Sequence, residues 1–377
     1  MLLDYETLRI LWWALLGILL IGFVITDGYD LGTMLLLPFV GKTDLERSIA
    51  IHTVSPVWEA NQVWLILGAG AIFAAWPILY AAAFSGFYIV MFFALAALIV
   101  RPVAFKFRGK RPDRPWRRMW EWTLILGALV DSVIFGAAFG NLFTGVNFSF
   151  AEDLRFQADI GVFDLLGPFA LLAGVISVLM IALHGATWLN YKASGEVAYR
   201  AQAWILPLAL ALLVLYSIAG WWMANLDGYH IIGGIRTDGP SNPLFKEVEL
   251  VAGGWADIYY RQPAWLIVPG LAYLGTILAV ACKNRAPLLS LLSSALIPLG
   301  IIGSAGRALF PFLLPSASHP SMSLTIWDAS SSHTTLLIMF LATIILMPVV
   351  LAYTAWIYRI LRGRVTLEDV TEVDNPY

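Results

Sequence analysis

The chain has 377 residues, of which 60% are hydrophobic and only 13% are charged, and its mean hydropathy is +0.78. Soluble domains carry roughly a quarter charged residues, so this composition excludes a soluble globular protein and indicates a polytopic helical membrane protein. The formal net charge of −2 identifies no partner. The single cysteine, Cys282, excludes an internal disulfide. The acidic start MLLDYETLRI lacks the basic region of a signal peptide, so the first apolar segment is expected to be a retained anchor.

The apolar segments predict nine transmembrane helices in a single integral membrane domain that covers residues 1–377. The first segment is long enough to tilt or to extend beyond the bilayer. The expected spans are residues 8–39, 53–75, 78–100, 121–144, 163–189, 202–224, 263–282, 287–313 and 333–358.

Lysine and arginine are distributed unevenly between the two sides of this topology. Most of the 23 basic residues fall in the C-terminal tail and in the loops after spans 1, 3, 5 and 7. Because basic loops stay in the cytoplasm, the N-terminus is predicted to be periplasmic and the C-terminus cytoplasmic. The basic residues outside this pattern are Arg9, Arg155, Arg236, Lys246, Arg261 and Arg307.

Carboxylates interrupt the first two spans. Asp27 and Asp30 lie in IGFVITDGYDLG and share a helix face, and Glu59 lies in TVSPVWEANQVWL. At about 1.5 Å per residue, Asp27 and Glu59 lie at similar depths in the cytoplasmic half of the bilayer. Neither segment contains a lysine or arginine beside these acids, so we expect a hydrated polar pocket that carries protons. The alternative is that the acids are solvated at the inner interface or cap a loop.

Other polar residues offer support or rival interpretations. Thr26, Asn61 and Gln62 are candidate hydrogen-bonding partners of the acids. Asp131, near the middle of span 4, is a candidate for the same proton route or for a buried hydrogen bond. His184 has no second ligand at metal spacing, so a packing histidine is the favoured interpretation and no metal site is predicted.

The residues alone contain no phosphate loop, no nucleophile with its base and no CxxC motif. Two classes of protein fit them: a proton-coupled membrane transporter, and a non-haem subunit of a respiratory complex. Transporters of this size often show inverted repeats with broken helices in matched halves. No such repeat is visible, which favours the respiratory subunit.

Several motifs, collinear over nearly the whole chain, resemble the cytochrome bd-type quinol oxidase subunit II family. The sequence does not separate its ordinary branch from its cyanide-insensitive branch. The motifs are DYETLRILWWALLGILLIGFVITDGYDLG, PVWEANQVWLI, FAAWPILYAAAFSGFY, RPVAFKFR, AFGNLFTGV, LDGY and MSLTIWDASSSHTTL.

The resemblance implies an all-α fold of nine helices, mostly in two four-helix bundles, paired with a subunit I of like architecture in the bacterial cytoplasmic (inner) membrane. It implies quinol oxidation coupled to reduction of oxygen to water, with no catalytic residue in this chain. In the family, carboxylates of subunit II feed cytoplasmic protons toward the oxygen-reducing haem. The matching positions are Asp27 or Asp30, and Glu59, where some members have aspartate.

The resemblance also implies the cofactors and partners. Haems of the b and d types are expected in subunit I, and some members hold a quinone in a structural role. Expected partners are subunit I, membrane lipid and quinol, with no nucleic acid. A small single-helix accessory subunit and a quinone bound by this chain stay open.

Overall fold

The computed structural model describes residues 3–158 and 160–374, without side-chain detail for 371–374. Its helices are α1 (Tyr5–Val40), α2 (Asp44–His52), α3 (Trp58–Ala75), α4 (Pro77–Gly86), α5 (Tyr88–Arg108), α6 (Arg114–Thr144), α7 (Pro168–Lys192), α8 (Gly195–Met223), α9 (Asp257–Arg261), α10 (Ile267–Cys282), α11 (Pro287–Ser294), α12 (Leu296–Leu309), α13 (His333–Ile360) and α14 (Leu367–Asp374). Its strands are β1 (Phe148–Phe150), β2 (Phe156–Ala158), β3 (Asp227–Gly233), β4 (Glu247–Ala252), β5 (Phe312–Leu314) and β6 (Leu324–Thr325), which form three two-stranded antiparallel sheets.

Long apolar helices dominate the described part of the chain. Eight segments are long and apolar enough to cross a membrane: α1, α5, α6, α7, α8, α10 with its preceding turn, α11 with α12, and α13. The helices α3 and α4 meet this criterion only together, and they are bent by 120°. The prediction of a polytopic helical membrane protein is confirmed, with eight to nine candidate spans among the described residues.

The third predicted span lies further along the chain than residues 78–100. Residues 77–86 form the separate helix α4, and the long helix α5 begins at Tyr88 and continues to Arg108. The chain leaves helical geometry at Trp76, with φ −136° and ψ 73°, and Pro77 starts a new helix because its first turn needs no backbone donor. Arg101, expected in a loop, therefore lies inside a membrane helix.

The loops on the side of the N-terminus are hydrogen-bonded to the first helix. Arg9 of α1 is fully buried, and its guanidinium donates to the carbonyls of Thr237 (2.6 Å) and Gly239 (2.9 Å) and to Ser330 Oγ (2.6 Å). Lys246 and Asp328 form a second buried pair, with Nζ 2.8 Å from Oδ2. Burial raises the pKa of Asp328 and lowers the pKa of Lys246, so each charge depends on the other.

On the side of the protein that carries the basic loops, carboxylate–arginine pairs connect the helices. Glu121 of α6 accepts hydrogen bonds from Arg108 (2.8 Å) at the end of α5 and from Arg47 (3.0 Å) of α2. Glu46 of α2 is paired with Arg200 of α8 at 2.9 Å. Arg108 also donates to Ser48 of α2 at 2.9 Å. The short helix α2 is therefore attached to three of the long helices, α5, α6 and α8.

Glycines set the closest approach between long helices. At the contact of α1 with α7, a Cβ built on Gly185 would lie 2.6 Å from Gly32 Cα, a separation that atoms do not adopt. A Cβ built on Gly22 would lie 2.8 Å from the Trp64 ring of α3. By contrast, a Cβ on Gly17 would meet no atom within 4 Å. The backbones of α1 and α7 can touch because both contact residues are glycines.

Substitution of Gly185 by alanine is therefore expected to force α1 and α7 apart and to destabilise the folded chain by about 1–3 kcal/mol, as overpacking does. The same change at Gly17 is the matched control and should leave stability unchanged or slightly raised. Thermal unfolding of the purified protein measures both. Equal unfolding temperatures for the two variants would contradict the close contact.

Candidate functional site

An ion pair between α1 and α5 lies in the interior of the protein. Asp27 is 0% exposed and Arg101 is 2% exposed. The guanidinium binds both carboxylate oxygens, with Nη2 2.7 Å from Oδ1 and Nη1 2.9 Å from Oδ2. The expectation that no basic residue accompanies Asp27 is wrong. Arg101 reaches Asp27 from α5, which starts and ends later in the chain than the predicted third span. A buried charge is costly unless paired, and this bidentate geometry provides the partner.

A second acid, Asp131 of α6, lies beside this pair. It is fully buried, and neither of its carboxylate oxygens has a hydrogen-bond partner in the described structure. The charges of Asp27 and Arg101 both act on it. The stem of Arg101 passes Gly127, one helical turn before Asp131, at 3.7 Å from the position of an added Cβ. The described structure therefore shows no hydrogen bond at Asp131, which was the alternative interpretation of this residue.

Asp30 is held by a different set of groups. Its Oδ2 accepts a hydrogen bond from Asn61 Nδ2 of α3 at 2.8 Å, while its Oδ1 is buried without a partner in the described residues. Asn61 Nδ2 also donates to the Tyr29 hydroxyl (2.8 Å), and Asn61 Oδ1 accepts from the Tyr358 hydroxyl of α13 (2.7 Å). The two tyrosine hydroxyls are bonded to each other.

These bonds fix the direction of every proton in the ring formed by Tyr29, Tyr358 and Asn61. Tyr358 donates to Asn61, so Tyr29 must donate to Tyr358 and accept from the Asn61 amide. All donors of the ring are used, and the ring gives Asp30 one hydrogen bond. Of the three candidate supporting residues, Asn61 is therefore the one that contacts an acid.

The remaining candidates lie outside this cluster. Glu59 is exposed on the first turn of α3 and makes no hydrogen bond or ion pair within the described part of the chain. Gln62 is half-buried without a hydrogen bond there, and Thr26 donates back to the Gly22 carbonyl (2.8 Å). The structure thus brings Asp27, Asp30 and Asp131 into the interior and leaves Glu59 on the surface.

His184 of α7 is buried and hydrogen-bonded through both of its ring nitrogens. Its Nε2 donates to the Ile25 carbonyl (2.8 Å), and its Nδ1 is bonded to the Ser294 hydroxyl (2.7 Å). Both ring nitrogens are therefore occupied by protein groups. No group of three or more His, Cys, Asp and Glu side chains that could hold a metal occurs among residues 3–158 and 160–374.

An apolar cavity of about 360 Å³ lies among α6, α7, α8 and α12. Aromatic side chains, including Phe139, Phe143 and Phe169, form much of its wall. Its polar groups are few, and two of them, Tyr216 and Ser304, are bonded to each other at 2.9 Å. The cavity has the mostly apolar lining that is typical of cofactor and ligand sites.

Comparison with known proteins identifies the family of this chain. Residues 8–361 match the model of cytochrome bd terminal oxidase subunit II. The chain belongs to this family. It is 45% identical to cytochrome bd-I ubiquinol oxidase subunit 2 of Escherichia coli (strain K12), over 97% of both chains. It is 30% identical to cytochrome bd ubiquinol oxidase subunit 2 of Bacillus subtilis (strain 168), over 96% of this chain and 98% of that one.

A solved structure supports the same fold. The bd oxidase from Geobacillus thermodenitrificans contains a chain that matches 94% of this chain and 98% of its own length, with a TM-score of 0.70 and 15% sequence identity. The resemblance drawn from the motifs is confirmed. As a bd oxidase subunit II, the chain is a multi-pass protein of the bacterial inner membrane and a subunit of a terminal oxidase.

Arg101 is the residue of this site that sequence reasoning missed. It lies in the motif RPVAFKFR. A full membrane span that starts at residue 78 would end at residue 100, so Arg101 was placed in the following loop. The indication was available in Pro77 and in the length of the apolar segment up to Phe107, which is sufficient for a short helix followed by a full span.

Replacement of Arg101 by methionine is expected to destabilise subunit II by about 3–5 kcal/mol, because it leaves the Asp27 carboxylate buried without its partner. Adding Asp27→Asn should restore part of that loss. The matched control is Arg111→Met, which removes an exposed pair with Asp113 and should cost about 0–1 kcal/mol. Thermal unfolding of the purified complexes gives the double-mutant cycle. Equal losses at Arg101 and Arg111 would contradict the buried pair.

Proposed function

We propose that this subunit conducts protons from the cytoplasm toward the haem site of subunit I, in a complex that oxidises quinol and reduces oxygen to water. The named relatives are ubiquinol oxidase subunits, which supports ubiquinol as the electron donor. The observation that carries the proposal is the group of buried carboxylates Asp27, Asp30 and Asp131 beside Arg101. Ionisable groups inside a membrane bundle are typical of proton relays.

Each acid has a different part in the proposed route. Arg101 holds Asp27 in its charged form through two hydrogen bonds. Asp30 and Asp131 have buried oxygens without partners, so they are the groups that accept and release a proton within the chain. Glu59 is exposed on α3, and we assign it to the surface that subunit I covers, where it exchanges protons between the subunits.

The topology supports uptake from the cytoplasm. The N-terminus is assigned to the periplasm and the C-terminus to the cytoplasm, because most lysines and arginines fall on the C-terminal side. We also propose that the single membrane domain holds most of its helices in two four-helix bundles. Proton uptake from inside, combined with release of quinol protons outside, generates a membrane potential without a pump.

The haems are assigned to subunit I. This chain has one histidine inside the bundle, His184, and both of its ring nitrogens are already hydrogen-bonded. Its one buried histidine is therefore not available as a haem ligand, which supports this assignment. The apolar cavity of about 360 Å³ does fit a quinone in a structural role, because it has an aromatic wall and few polar groups.

Isolation of the tagged subunit from native membranes in mild detergent tests the complex itself. It is expected to bring a second large polytopic subunit, haem bands in the reduced-minus-oxidised spectrum, and quinol-dependent oxygen uptake. A colourless single chain without oxygen uptake would instead support the alternative, a proton-coupled transporter. The detergent must first be shown to preserve a related oxidase complex.

Asparagine at Asp30 or Asp131 is expected to slow oxygen uptake on the order of 100-fold, the effect of losing a proton-transfer group, while the haem spectrum stays unchanged. Asp27→Asn and Glu59→Gln should also slow turnover with the haems assembled. Asp113→Asn, an exposed carboxylate on the same side, is the matched control and should not change turnover. Unchanged oxygen uptake in all four site variants would overturn the proton route while leaving the family assignment intact.

A further inference from the structure

A second cavity, of about 500 Å³, opens on the basic side of the protein. It lies among α1, α7, α11 and α13. Residues 361–365, just after α13, close it: Lys192 Nζ donates to the carbonyls of Leu361 and Gly363, and Val365 N donates to the Lys192 carbonyl at 2.8 Å. Leu288 and Leu292 of α11 line the cavity and are 48% and 59% exposed, so it is open toward the membrane.

The polar side chains deep in this cavity are already satisfied by the protein. Each of them makes a hydrogen bond to another group of the chain, so none requires a polar ligand or water. They are Thr26, Tyr29, Thr53, His184, Trp188 and Tyr358. An apolar chain can therefore occupy the depth of the cavity without leaving a buried polar group unpaired.

The rim of the cavity, by contrast, carries polar groups that have no partner in the described structure. Arg362 and Arg364 are exposed, and neither makes a hydrogen bond or an ion pair within the described part of the chain. The Tyr191 hydroxyl is also without a partner there, and Lys192 adds a third positive charge. Among the described residues that line the cavity, Asp369 is the one carboxylate, and it accepts hydrogen bonds from the Thr366 backbone (2.7 Å) and hydroxyl (2.8 Å).

The rim is at the level where lipid headgroups lie. α7 ends at Lys192, α13 ends at Ile360 and α11 begins at Pro287, so all three helices reach the membrane surface at this point. The apolar depth and the cationic rim together match an amphiphile with a negative headgroup. Basic pockets between membrane helices on the cytoplasmic side bind acidic lipid headgroups.

We propose that this cavity binds one anionic phospholipid of the leaflet on the basic side. One acyl chain enters between α11 and α13, past Leu292. The phosphate lies at the rim, where Arg362, Arg364 and Tyr191 donate hydrogen bonds to its oxygens. None of the three buried acids lines the cavity, although Tyr29 and Tyr358 of the ring around Asp30 do. The proposal does not rest on the proton route.

The test measures phosphatidylglycerol bound to the detergent-purified oxidase complex by native mass spectrometry, after delipidation and titration with phosphatidylglycerol or phosphatidylcholine. We expect one tightly bound phosphatidylglycerol per complex and no comparable phosphatidylcholine. Arg362→Gln with Arg364→Gln should weaken that binding roughly 30-fold, the effect of two arginines at a membrane surface. Leu292→Trp, which narrows the entrance without changing charge, should also weaken the binding of phosphatidylglycerol.

The matched control removes the same charge elsewhere on the same side. Arg118 and Arg285 are exposed, do not line the cavity and have no partner within the described residues, so their double glutamine variant should bind phosphatidylglycerol as the unmodified complex does. Equal binding of the two lipids would overturn the proposal, as would retention in the Arg362/Arg364 variant. Displacement by inorganic phosphate together with indifference to Leu292→Trp would mean a bare anion site and would also overturn it.

Discussion

The buried ion pair between Asp27 and Arg101 is the interaction on which the interior of this subunit depends. Two charges removed from water tolerate little separation, so the bidentate contact fixes both the spacing and the rotation of α1 against α5. Asp30 lies three residues after Asp27, and this fixed rotation points its carboxylate toward Asn61. Gly28 and Gly32 lie on a different face of α1, turned toward α7, and Gly32 allows α7 to approach α1 at backbone distance.

The two sides of the protein are stabilised by different means. On the N-terminal side, long loops are attached by single buried cations, Arg9 and Lys246, whose hydrogen bonds reach distant parts of the sequence. On the basic side, short connections are held by shared carboxylates, of which Glu121 is the most buried. The side that receives protons in the proposed function therefore has little covering structure, while the other side is capped.

The class of fold and the identity of the three buried acids were predictable from the sequence, because apolar length and an interrupting carboxylate are local features. The position of α5 was missed. Pro77 and the length of the apolar segment allow a short helix before a full span, but the place of the second break, at Phe87, depends on backbone geometry within a continuous apolar segment. That error concealed Arg101. The exposure of Glu59 was also beyond the sequence, because similar depth on neighbouring helices does not determine which face a side chain occupies.

The ring around Asp30 has a consequence for biosynthesis. Its members come from α1, α3 and α13, so a group near the start of the chain is completed by Tyr358, close to the end. Apart from Leu336, the described residues of α13 are not fully buried. Besides that tyrosine, the helix is attached at its start by the hydrogen bond from Trp12 Nε1 to the Leu336 carbonyl (3.0 Å). During translation the acids enter the membrane early, and most of the chain must still be synthesised before the ring can form. A chain truncated before α13 would keep the pair of Asp27 with Arg101 but would carry Asp30 without the tyrosine that completes its surroundings.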